Sequence, residues 1–71
     1  MSATGKRFAQ QQLALNLLTA VRECNTEAEL EEVADKADEA VRAGYITKKA
    51  YKAIEEELDD RLGYLVEKGM I

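Results

Sequence analysis

The chain has 71 residues and a mass of 7.9 kDa, with ten Lys and Arg against fourteen Asp and Glu, no histidine, no proline and one cysteine, Cys24. Such a length supports one small domain; a single thiol permits neither an internal disulfide nor a thiolate zinc cage, and without imidazole there is no common general base or transition-metal ligand. Serine, cysteine and zinc hydrolase chemistry is set aside on these grounds, and no cofactor, metal or catalytic residue is expected.

Ala, Leu, Glu, Lys and Arg make up more than half of the residues, the composition of long helices or coiled coils. No segment approaches the roughly 18 uninterrupted apolar residues of a membrane span. The start, Met1 to Arg7, is not followed by a signal-type apolar core. A cytoplasmic protein without membrane contact is expected, and the unpaired Cys24 suits a reducing compartment. Residues 1–71 are expected to form one all-α domain of three helices, with residues 1–5 flexible.

The first helix is expected over about 6–24, where Ala9, Leu13, Ala14, Leu17, Leu18, Ala20, Val21 and Cys24 share one apolar half of the helical wheel. Asn25 suits a left-handed residue that ends it, and Thr26 with Glu29 makes a capping box that starts the next helix at once. The second helix, about 27–43, gathers Leu30, Val33, Ala34, Ala37, Ala40 and Val41 in an apolar arc. Gly44 supplies its left-handed terminator, with Tyr45 folding back toward Ala40. Thr47 caps the third helix, about 48–68, and Ile46 and Tyr51 form a hydrophobic staple. Its apolar face carries Ala50, Tyr51, Ile54, Leu58, Leu62 and Leu65, and Gly69 ends it with Met70 near Leu65. The second and third helices are expected to form an antiparallel hairpin.

The turn Gly44, Ile46, Thr47 and Tyr51, a G-x-I-T-x-x-x-Y phrase of eight residues, resembles one that recurs in small helical-hairpin proteins of bacteriophages and mobile elements. The resemblance implies a host-directed regulatory role and brings no active site with it.

Charge is unevenly spread. Residues 1–25 carry +3 and −1, residues 26–46 carry +2 and −7, and residues 47–71 carry +5 and −6. The outer face of the second helix holds Glu31, Asp35, Asp38 and Glu39, which read either as a solvated exterior or as a surface that meets a basic groove in the way nucleic-acid phosphates do. Calcium binding does not fit, because helical carboxylates four apart lack the glycine-hinged loop. Lys6 and Arg7, and Lys48, Lys49 and Lys52, are too few and too scattered for a nucleic-acid stripe, so weak nucleic-acid binding ranks third.

Phe8 and Leu15, seven apart on the side of the first helix opposite its apolar half, ask for a partner, and Leu18 extends them. Gly63 within the third helix, with Tyr64 beside it, marks a second contact. A thin, alanine-rich core without a disulfide or metal points to oligomerisation or partner binding as the remaining stabiliser. The sequence therefore predicts a small non-enzymatic protein-protein interaction module, an oligomeric adaptor or inhibitor with a dimer favoured.

Overall fold

The computed structural model describes residues 3–70, with side chains from residue 9 onward. Its elements are three helices, α1 (Ala3–Glu23), α2 (Glu27–Arg42) and α3 (Lys48–Glu67), with no strand among the described residues. Bounds fall close to those the apolar spacing predicts, except that α1 begins three residues earlier, so that residues 3–5 are helical.

Each boundary has a local cause. Thr26 sits in extended backbone and its hydroxyl accepts the Glu29 amide at 3.2 Å, while the Glu29 carboxylate accepts the Asn25 amide at 3.0 Å. The capping box thus closes, with its return bond one residue before the cap. That bond also explains a correction: Asn25 is not left-handed, since no described residue other than glycine has positive φ. With the Asn25 amide held by Glu29, and the Cys24 amide donating to Val21 O at 3.1 Å, α1 stops without a left-handed residue.

The other two ends follow the Schellman pattern. Gly44 has φ of 80°, and the amides of Tyr45 and Gly44 donate to Ala40 O at 2.8 Å and Val41 O at 3.2 Å. At the end of α3, Gly69 has φ of 74°, and Met70 and Gly69 donate to Leu65 O at 2.9 Å and Val66 O at 3.1 Å. Thr47 caps α3 by accepting the Ala50 amide at 3.1 Å, with Ile46 buried and Tyr51 half-buried against the same cluster.

Two long-range bonds set the packing. Gln10 Nε2 donates to Gly44 O at 3.1 Å, and Arg61 Nε donates to Cys24 O at 2.9 Å. The N-terminal half of α1 therefore lies by the α2–α3 turn, and its C-terminal end lies against the later half of α3. The result is a rod of 48 × 17 × 16 Å, about two helices thick in each cross-section.

Leu17, Val21, Cys24, Leu30, Val33, Ala37, Ala40, Ile46, Ile54 and Leu65 form the core, with Leu13, Ala14, Leu18, Ala20, Val41, Ala50, Tyr51 and Leu58 packed around it. Two of the four buried residues of α2 are alanines. They let the helices approach closely but cover little of what faces them. Two expected core positions lie outside the core: Ala9 is exposed, and Leu62 is 37% exposed at a groove that Ala34 also lines.

Candidate interaction surfaces

The uncovered Leu62 is one wall of a groove between α2 and α3 of about 380 Å³. Leu30, Ala34, Tyr51, Leu58 and Leu62 give it an apolar floor, and Glu27, Glu31, Glu55 and Asp59 give it an acidic rim. The two walls share one spacing. Glu27, Leu30, Glu31 and Ala34 on α2 repeat as Glu55, Leu58, Asp59 and Leu62 on α3, acid and apolar residues at i, i+3, i+4 and i+7. Helical periodicity puts each quartet on a single stripe, with the acids beside the apolar residues.

That doubled quartet is a signal the sequence contains, but taking each helix alone divides its residues between core and solvent. Tyr51 stands on the floor, and its phenol is pushed above its ordinary value by partial burial first, then by Glu55 and Asp38, against the pull of Arg42. The phenol remains a hydrogen-bond donor at neutral pH.

Of the predicted contact residues, Leu15 is 57% exposed on α1, whereas Leu18 packs partly against the core. Phe8 lies on the helical backbone of α1, and its side chain is outside the described residues. On α3, a methyl at Gly63 would meet nothing within 4 Å, and Tyr64 is half exposed; Val66 and Met70, elsewhere at this end of the chain, are also exposed. The Tyr64 ring lies 4.9 Å from the Arg61 guanidinium and 5.7 Å from Lys68 Nζ. The structure thus keeps Leu15 and the Gly63–Tyr64 pair as separate patches on different helices.

Glu31, Asp35, Asp38 and Glu39 follow the outer face of α2, but their surroundings differ. Glu31 edges the α2–α3 groove, and Glu39 edges a second cleft lined by Leu13, Leu17, Ala40 and Tyr45. Asp35 and Asp38 line neither cleft, and Asp38 is paired with Arg42 at 3.1 Å. Lys48, Lys49 and Lys52 are all exposed at the start of α3.

Cys24 is buried, and its thiol donates to Ala20 O at 3.1 Å. Burial foremost, then Glu29, with Glu32 and Glu23 adding and Arg61 opposing, pushes the thiol above its ordinary value. It is held protonated, away from the thiolate form that attacks electrophiles or binds metal. Arg61, which the sequence pattern does not single out, also donates from Nη2 to Asn25 Oδ1 at 3.3 Å, closing the end of α1. Among the described residues, no three acidic or cysteine side chains converge as a metal site, and no helix is long and apolar enough to cross a membrane.

Comparison with protein-family models, with curated proteins and with solved structures gives no match.

Proposed function

We propose that this chain is a small non-enzymatic interaction module of the cytoplasm, a self-associating adaptor or inhibitor that works through apolar surface on its helices. The observation that carries the reading is Leu15, a large aliphatic side chain left 57% exposed on a helix whose opposite side already supplies Leu17 and Val21 to the core. With Phe8 one heptad earlier, it extends an apolar stripe along α1. Phe8 and Leu15 are the anchors, with Leu18 at their inner edge and Gly63 and Tyr64 as a second contact. The resemblance of the Gly44–Tyr51 turn to phage and mobile-element hairpins supports a host-directed role.

Sedimentation equilibrium over micromolar to submillimolar concentrations tests the reading. Dimer that converts to monomer in Phe8→Ala and Leu15→Glu is expected. A wild-type chain that stays monomeric throughout, with both variants unchanged in stability, overturns it. Charge reversal at Asp35 and Asp38 provides the contrast, since it leaves apolar association in place but abolishes binding by an acidic nucleic-acid mimic.

A further inference from the structure

We infer that the groove between α2 and α3 is the seat of a partner protein's basic amphipathic helix, one whose apolar ridge is flanked by Lys or Arg. The inference rests on the interaction-module reading and names the class of partner for a surface which that reading leaves unassigned.

The first argument is the uncompensated charge of the rim. On α2, Glu32 pairs with Lys36 at 3.5 Å and Asp38 with Arg42 at 3.1 Å. Among the described residues, Glu27, Glu31, Glu55 and Asp59 form no such pair and no Lys or Arg lines the groove. Like charges four residues apart weaken a helix by a few tenths of a kcal/mol, and here two such pairs border the same gap. The same spacing recurs on exposed faces at Asp35/Glu39 and Glu56/Asp60; what sets the groove apart is that its two acidic pairs flank an apolar floor, where a cationic occupant with an apolar face relieves them.

The second argument is the floor. Leu62 is 37% exposed, and Tyr51 and Leu58 are half-buried, in a chain too short to spare apolar area. An ion or a hydrophilic polycation offers these side chains nothing. An occupant with one apolar face and a basic margin meets both the floor and the rim, and an amphipathic helix provides that pattern at i, i+3, i+4 and i+7. The lining of α3 from Tyr51 to Leu62 spans about 16 Å at 1.5 Å per residue, enough for about three helical turns of a partner.

The probe is a fluorescein-labelled synthetic helix of about fourteen residues, Leu-Lys-Lys-Leu-Leu-Lys-Leu written twice, with its Lys-to-Glu analogue as control; fluorescence anisotropy is read at low and high salt. Saturable binding of the Lys probe, absent for the Glu analogue and weakened by salt, is expected. Ala34→Leu, which fills the groove, and the double variant Glu31→Lys with Asp59→Lys should each weaken binding at least about tenfold. Leu62→Gln, at a half-open position, serves if Ala34→Leu loses its helical circular dichroism. The outward-facing double variant Glu56→Lys with Asp60→Lys should stay within about twofold of wild type.

Equal weakening by the groove and outward pairs means general attraction to acidic surface and overturns the inference. So does indifference to both Ala34→Leu and Leu62→Gln, or absence of probe binding. Conversion of a wild-type dimer to monomer by Ala34→Leu makes a second copy the occupant, and also overturns it. Failure of the module reading is seen separately, in the sedimentation of Leu15→Glu.

Discussion

The guanidinium of Arg61 donates to the Cys24 carbonyl and the Asn25 side chain while lying against Tyr64, so one side chain ties the end of α1 to α3. A cation at the negative end of a helix and a charge-assisted bond to an otherwise free carbonyl act in the same direction. Arg61→Ala is expected to lower stability by about 1–2 kcal/mol, a fall of roughly 5–10 °C in melting temperature for a domain this size. Arg61→Lys, without the planar fork, should recover part of it. A melt unchanged in Arg61→Ala would show the bonds to be incidental. Cys24, beside it, sets a pH dependence. Its folded-state pKa is raised, so folding favours the protonated thiol; that contribution is complete below the ordinary value of 9.0 and lost as pH rises through the higher folded value. Urea denaturation from neutral pH to about pH 10.5 should therefore show a steeper alkaline loss of stability in wild type than in Cys24→Ala. Equal slopes would remove the thiol from the account.

At the scale of the elements, glycines with different backbone settings make opposite predictions. Gly44 holds φ of 80° in the Schellman turn, which an L side chain enters with strain, so Gly44→Ala should destabilise by about 1 kcal/mol or more. Gly63 is an ordinary helical residue whose added methyl meets nothing within 4 Å, so Gly63→Ala should stabilise by about 0.5–1 kcal/mol. Urea midpoints of the two variants check both signs at once. If Gly63→Ala stabilises the fold yet weakens self-association, another backbone approaches there. These elements were legible because their causes are local: Thr26 with Glu29, Gly44 and Thr47 act within a few residues of themselves, and apolar spacing marks the faces between them. Asn25, Leu62 and Arg61 escaped for the complementary reason. The end of α1 is satisfied by Arg61, 37 positions from the carbonyl it meets. Leu62 is left 37% exposed at the α2–α3 groove, an outcome of how two helices pack and not of its own helical spacing. The groove follows from the same cause, since its two quartets become one site only when the helices pack together.

The whole molecule is long for its mass. Its radius of gyration is 13.1 Å, against about 11 Å for a compact chain of this length. Its accessible surface is 5259 Å², against the roughly 4400 Å² expected of a folded monomer of 7.9 kDa. The difference, on the order of 800 Å², is close to what one partner buries in a standard protein interface. Ile54 and Leu65 are fully buried, so a core exists, but the alanines of α2 keep it thin. If a second copy supplies the missing burial, folding and association are linked and stability depends on concentration. Raising the protein from about 5 to about 500 μM should then lift the melting temperature by roughly 5–10 °C. Leu15→Glu, which places a charge on the proposed contact, should melt at the wild-type dilute value at both concentrations. Since Leu15 contributes little to the core of its own chain, a large loss at low concentration in this variant would signal damage within the monomer instead. A wild-type melting temperature independent of concentration, together with an unaffected Leu15→Glu variant, would mean that three helices of this composition hold without a second copy, and that the excess surface serves a different protein.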